Sequence, residues 1–165
     1  SMFNPGTVVD KAHQQACIEY IWRPYHQQLT AELARIKQKF GYAILFDAHS
    51  IRAHVPMLFE GTLPDFNMGT NDGAACSPKL LQAAEHAMSS APYTQVSNGR
   101  FKGGYITRSH GWPSEDMHAF QLELSQATYM QDGDSYTLDD SKCAQVRPHL
   151  KVLIEALVSC NLANQ

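Results

Sequence analysis

The sequence lacks the features that mark membrane, nucleic-acid-binding and zinc-knuckle proteins. No apolar run approaches the length of a bilayer-spanning helix, and the amino terminus has no charged segment followed by an apolar one. The net charge is −3 and no block of lysines and arginines is present, so the composition predicts no nucleic-acid partner. The four cysteines are widely spaced and form no C-x-x-C pair, which argues against a cysteine zinc knuckle or a thioredoxin-type motif. We therefore expect reduced, mostly buried thiols and a cytoplasmic protein.

What is present fits one α/β domain over residues 1–165. A chain of 165 residues with 44% apolar and 18% charged content is long enough for a full core. Apolar residues recur with helical spacing from Val8 to Phe40, although Pro24 should kink or divide that helix. The stretch FGYAILF predicts a helix end and then a buried strand from Tyr42 to Phe46.

The rest of the chain alternates helices and short apolar strands, which favours a mixed sheet flanked by helices. Proline and glycine punctuate the segment from His49 to about Pro78, so we expect a long loop there. The further expected elements are a helix capped by Ser77 and running to Met88, strands in YTQVSNG and GGYITR, a strand from His118 to Leu124, a turn region from Gln131 to Asp140, and a last helix from Asp140 or Ser141 to about Cys160.

Asp47 and His49 follow the first predicted strand. If the strand continues to His49, the two side chains project to the same side, at the carboxyl end where open α/β sheets place their ligands. A neutral imidazole is a good zinc ligand, and a nearby carboxylate can orient it or add to the site. The alternative is a histidine that is simply hydrogen-bonded in a loop.

Three further residues have both a functional and a structural interpretation. Glu123 lies on the polar face of the strand HAFQLEL. There it is either a solvated residue or, if partly desolvated, a general base. Arg52 and Arg108 lie in loop or strand-end settings. Each is either an ordinary surface arginine or a residue whose planar guanidinium donates hydrogen bonds to a substrate carboxylate.

Three separated blocks resemble the N-formylglutamate amidohydrolase family, which is related to the zinc carboxypeptidases. They are FDAHSIRAHVPMLFEGTLPDFNMGTNDGAAC, NGRFKGGYITRSHGWP and HAFQLELSQATYM, in the family's order. The resemblance runs from about Tyr20 to the terminal helix. It implies a zinc-carboxypeptidase-like fold and zinc-dependent hydrolysis of N-formyl-L-glutamate to formate and L-glutamate, in histidine breakdown.

The resemblance also implies roles for particular residues. His49 matches a zinc ligand, with Asp47 as its orienting partner or a weaker ligand, and Glu123 matches the glutamate that activates water. Arg52 and Arg108 are then candidates to bind the carboxylates of a small acidic substrate. His54, Asn71 and His110 lie in the same blocks without an assigned role.

The match departs from the family in two places. Family members are longer at the amino terminus, and that portion carries the remaining zinc ligands; no H-x-x-E arrangement replaces them here. Where the family has T-R-H-Y-G, this chain has T-R-S-H-G, so its histidine, His110, is displaced by one. We therefore expect a fragment or a short homologue with an exposed sheet edge or apolar face, and self-association to a dimer or larger species.

Two other functions remain open. One is a related zinc amidohydrolase or carboxypeptidase-like enzyme that acts on another acyl amino acid. The other is a catalytically silent domain that binds a ligand or completes a site with another chain.

Overall fold

Four strands form a mixed sheet in the order β1-β4-β2-β3, in a computed structural model that describes residues 6, 9–131, 133 and 136–162. Strand β4 runs parallel to β1 and antiparallel to β2, and β2 runs parallel to β3. The strands are β1 (Ala43–Ile51), β2 (Phe66–Gly69), β3 (Gln95–Ser97) and β4 (Met117–Ser125). The helices are α1 (Lys11–Cys17), α2 (Arg23–Phe40), α3 (Pro78–Met88), α4 (Tyr105–His110) and α5 (Asp140–Ser159).

Helices cover both faces of the sheet, so the expected mixed α/β architecture is confirmed. On one face, Phe120, Leu122 and Leu124 of β4 pack with residues of α3 and α5. On the other face, Leu45 and Ala119 pack with residues of α2 and α4. Alternation of side chains along each strand separates these two clusters.

The long amino-terminal helix is divided just before Pro24, as expected. A π-helical turn, Ile18–Trp22, separates α1 from α2, and Pro24, which has no amide hydrogen to donate, follows that turn at the start of α2. The apolar face predicted for this amino-terminal helix is only partly covered by the rest of the protein. Leu33 is buried, whereas Trp22 and Tyr25 are exposed.

Four other predicted elements are confirmed. The Ser77 hydroxyl caps α3 by accepting a hydrogen bond from the Lys79 amide, with Pro78 at the start of the helix. Strand β4 and helix α5 lie where the periodicity placed them, and β3 lies within YTQVSNG. In the turn region from Gln131 to Asp140, residues 132, 134 and 135 lie outside the described residues.

Two expectations were wrong. The predicted loop contains β2, where Phe66 and Met68 are buried in the core, and β1 continues beyond His49 to Ile51. The predicted strand GGYITR is instead helix α4. Its first turn begins at Gly104, whose amide donates to the side chain of Gln121 at 2.6 Å. That tertiary contact outweighs the strand propensity of Tyr105 and Ile106.

The four thiols are free, as expected; Cys76 and Cys143 are buried and Cys17 and Cys160 are half-buried. Burial raises the pKa of Cys76 to about 12, which makes that thiol unreactive at neutral pH. Within the described part of the chain, no helix is long and apolar enough to cross a bilayer.

Candidate active site

A row of polar side chains lies on one face of the sheet, at the carboxyl ends of β1 and β4. The parallel register pairs Asp47 with Gln121 and His49 with Glu123, and Asn67 of β2 lies opposite Glu123 on its other side. Paired residues project to the same face, so these five side chains form what we call the polar row. It continues the face that begins with the apolar Leu45 and Ala119.

Asp47 orients His49. The imidazole Nε2 lies 3.0 Å from Asp47 Oδ1, so Nε2 carries a hydrogen, and in the neutral ring Nδ1 offers its lone pair to a ligand. The His49 side chain is 47% exposed and that of Asp47 only 12%. The second carboxylate oxygen, Oδ2, is buried with no hydrogen-bond partner among the described residues. The pair therefore presents one oriented imidazole to the surface and one unused acceptor beneath it.

Glu123 is buried beside this pair. The residue is only 8% exposed, and burial is the main cause that raises the pKa of its carboxyl group. A charge on His49 lowers that pKa, and the negative charge of Asp47 raises it. A desolvated carboxylate of this kind binds a proton more readily than a solvated one, which suits a general base.

Asn67 supports Glu123 from the neighbouring strand and was missed from the sequence. Its amide nitrogen donates to the Pro64 carbonyl at 2.7 Å and to the Glu123 carbonyl at 3.0 Å. Both amide hydrogens are thereby used, and the buried Oδ1 has no partner among the described residues. The only signal in the sequence is an asparagine between two apolar residues, which does not reveal which strand will lie opposite.

The structure does not join the two predicted arginines to the polar row. The Arg52 guanidinium donates to the Tyr136 hydroxyl at 2.8 Å and lies 5.0 Å from the centre of that ring. Arg108 lies on α4 and donates to the Gly103 carbonyl at 2.7 Å. Neither contact reaches His49 or Glu123, so a role in binding carboxylates stays a prediction.

The three residues left without a role have structural contacts. His54 Nδ1 lies 3.1 Å from the Gly61 carbonyl oxygen. Asn71 adopts a positive φ of 53° in a turn. His110 is buried and lies 3.1 Å from His26 of α2, a partner that its position in the sequence did not suggest.

The polar row fits part of a zinc site. His49 Nδ1 is a suitable nitrogen donor, and the carboxylate behind it is the usual support for a zinc-bound histidine. Catalytic zinc normally has three protein ligands. Within the described residues, no group of three His, Cys, Asp or Glu side chains is arranged to hold a metal. These residues alone therefore do not complete the site.

Two solved structures share this architecture. The N-formylglutamate amidohydrolase from Ralstonia eutropha superposes with a TM-score of 0.71 at 25% identity, over 89% of this chain and 52% of that one. A gene product from Agrobacterium tumefaciens superposes with a TM-score of 0.65 at 18% identity, over 92% of this chain and 56% of that one, and supports the fold alone. The fold class is therefore the α/β fold of an amidohydrolase.

The sequence comparisons identify the family. The family model for N-formylglutamate amidohydrolase matches residues 3–130. N-formylglutamate deformylases from Pseudomonas putida and Pseudomonas aeruginosa are 45% and 44% identical over 159 residues, 96% of this chain. The chain belongs to the N-formylglutamate amidohydrolase family, which confirms the resemblance seen in the three sequence blocks. It spans 60% of the length of these two relatives.

Proposed function

We propose that this chain takes part in the hydrolysis of N-formyl-L-glutamate to formate and L-glutamate. The names of its relatives support this reaction. The observation that carries it is the register of β1 and β4, which sets the oriented His49 directly beside the desolvated Glu123. An imidazole donor and a base on adjacent strands are two of the parts that metal-assisted amide hydrolysis requires.

Glu123 moves the protons in this proposal. Its carboxylate takes a proton from the water that attacks the formyl carbon. It then delivers that proton to the glutamate nitrogen as the C–N bond breaks. Burial supports both steps, because it raises the proton affinity of the carboxylate without removing it from water altogether. The products are formate and the free amine of glutamate.

Zinc is the proposed cofactor, with His49 Nδ1 as one ligand. When bound, zinc supplies Lewis-acid polarisation of the formyl oxygen and makes water more acidic. Asp47 holds the imidazole in the required tautomer through the 3.0 Å contact to Nε2. Asp47 Oδ2, buried and unpartnered among the described residues, is available as a weaker ligand or as an acceptor for bound water.

Arg52 and Arg108 are the proposed partners of the substrate carboxylates. A guanidinium binds a carboxylate through two parallel hydrogen bonds, which fixes the orientation of the amide as well as the charge. Both arginines are exposed. The Tyr136 hydroxyl and the Gly103 carbonyl are among their present partners, which a substrate would join or displace.

A second candidate is a domain that binds a ligand without catalysis. The observation that favours it is the absence of a three-ligand metal group among the described residues. A related amidohydrolase that acts on another acyl amino acid is distinguished by substrate, because the glutamate assignment depends on the two arginines. Cytoplasmic location, histidine breakdown and self-association remain predictions from the sequence.

The test combines zinc content with formate release in the purified chain. Where a further ligand completes the site, we expect close to one zinc per chain, lost in His49→Ala. Glu123→Gln should keep the zinc and abolish formate release, whereas the exposed Glu60→Gln should retain both. Turnover that survives in Glu123→Gln would remove the role given to Glu123. Absence of both zinc and turnover in the wild-type chain would favour the silent domain.

A further inference from the structure

A part-buried hydrogen bond joins two histidines that are 84 residues apart in the sequence. His26 Nδ1 of α2 lies 3.1 Å from His110 Nε2 at the end of α4. The ring planes differ by only 11°, and the centroids are 5.4 Å apart. The centroid separation exceeds the nitrogen separation by about one ring diameter, so the rings meet end to end in a shared plane. One nitrogen therefore points its hydrogen at the lone pair of the other.

This hydrogen bond forms only in some protonation states of the two imidazole rings. It requires one N–H donor and one bare nitrogen. His110 is the more deeply buried ring, at 7% exposure, whereas His26 is half-buried. Burial, and then the charge of His26, lower the pKa of His110. His110 is thus the ring that stays neutral further into acid, and either nitrogen can be the donor, depending on the tautomers. When both rings are protonated, two N–H groups face each other and the hydrogen bond is lost.

The surroundings of the pair are aromatic. Trp22, Tyr25 and Tyr105 contact the His26 ring, with centroids 4.5, 5.2 and 5.1 Å away. The nearest charged residues along the chain are engaged elsewhere: Arg23 pairs with Glu19, and Arg108 donates to a loop carbonyl. Among the described residues, His26 is the one ionisable group whose charge shifts the pKa of His110.

The pair lies at one end of α4. At the other end, Gly104 N donates to Gln121 of the polar row at 2.6 Å. Gly111, which follows His110, packs so closely on Ala75 that no side chain fits. Helix α4 therefore contacts the sheet beside Glu123, where Thr107 Oγ1 also donates to the Gln121 side chain at 3.4 Å, and contacts α2 through Ile106 and the histidine pair. Arg108 lies between these contacts. A helix of six residues has too few internal bonds to hold this position unaided.

We propose that the His26–His110 hydrogen bond is a positioning link that fixes helix α4, and with it Arg108, beside the polar row, and that acid releases this link. Its consequence for substrate binding rests on the proposed function. The link itself does not, because the geometry that carries it lies outside the polar row.

The experiment measures amide hydrogen exchange by NMR on the whole chain. The reporters are Arg108 N–H and Gly111 N–H, which donate to the carbonyls of Gly104 and Thr107. Cys143 N–H in α5 is the internal reference. Rates are corrected for intrinsic chemistry and compared at about pH 7.5 and about pH 4, because the pKa of His110 lies below the usual histidine value near 6.5.

Three variants separate the possibilities. His26→Gln keeps a side chain whose amide can donate to neutral His110 or accept from charged His110. His26→Phe keeps a ring and loses the bond. His86→Gln changes an exposed histidine on α3 and serves as the control.

We expect acid to reduce wild-type protection of both reporters by about tenfold, the order of one buried hydrogen bond. His86→Gln should behave the same way, His26→Gln should stay protected at both pH values, and His26→Phe should be exposed at both. Wild-type protection in His26→Phe would overturn the positioning role. An acid loss in His26→Gln equal to the wild type would overturn the release. Neither outcome depends on formate release, so the two proposals fail separately.

Discussion

Gly111→Ala should destabilise the chain strongly, because α4 ends directly against backbone. A Cβ at Gly111 would lie 2.4 Å from the Ala75 carbonyl oxygen and 2.6 Å from the Ala75 Cβ. Favourable contacts between carbon atoms lie at about 3.5–4.0 Å, so the helix end or the loop must move by about 1 Å. The φ of Gly111 is −89°, which alanine adopts freely, so the cost is one of packing.

The neighbouring loop resists that movement. Ala75 is 1% exposed, its carbonyl accepts from the Ala119 amide of β4 at 2.8 Å, and its own amide donates to Thr70 at 2.9 Å. Overpacking costs about 1–3 kcal/mol, and loss of one such hydrogen bond adds about 1 kcal/mol. We therefore expect a loss of about 2–4 kcal/mol, equivalent to a fall in Tm of about 5–15 °C for a chain of this size.

Urea unfolding followed by circular dichroism measures this loss as a lower midpoint at unchanged slope. Gly104→Ala is the matched control. Its Cβ would meet a single atom, the side-chain oxygen of Gln121 at 3.3 Å, which can shift. That variant should lose less than about 1 kcal/mol, within the usual range for mild substitutions. An unchanged midpoint in Gly111→Ala would refute the close packing of α4 on Ala75.

Three further predictions follow from the core, the site and the surface. Leu153→Ala, at 0% exposure in α5, should cost about 2–5 kcal/mol in urea unfolding, whereas the exposed Val158→Ala should cost little. In metal-free protein, Glu123→Gln should raise the free energy of unfolding at neutral pH. Because the pKa of Glu123 is raised in the folded state, wild-type stability falls as pH rises from the usual glutamate pKa through the pKa in the folded protein. The stability gained by the variant should therefore vanish in acid. Light scattering should detect a dimer or larger species that dissociates on dilution, since Tyr20, Ile21 and Trp22 are exposed, and a concentration-independent monomer would contradict this.

Local sequence patterns predicted an element correctly where the residues of that element alone determine its structure. The alternation in HAFQLEL predicted β4, and Ser77-Pro78 predicted the start of α3, because both signals depend only on neighbouring residues. They failed where a distant contact decided the structure. Tyr105 and Ile106 favour a strand, but the bond from Gly104 to Gln121 starts a helix instead. Strand β2 was hidden because its four residues are too few to show a period.

The same contrast holds for the candidate site: the sequence of one strand predicted which of its residues share a face, but not which residues of the neighbouring strand lie opposite them. Period-two spacing placed Asp47 and His49 on one side of β1, and the 3.0 Å contact confirms it. Nothing within a strand specifies which residue of another strand will lie opposite, since register is set by the buried face and the connecting turns. A slip of one residue in β4 would turn Glu123 to the apolar face and bring Leu122 or Leu124 opposite His49. Packing of Phe120, Leu122 and Leu124 against α3 and α5 prevents that slip. The apolar face of β4 thus holds Glu123, the proposed general base, in place on its polar face.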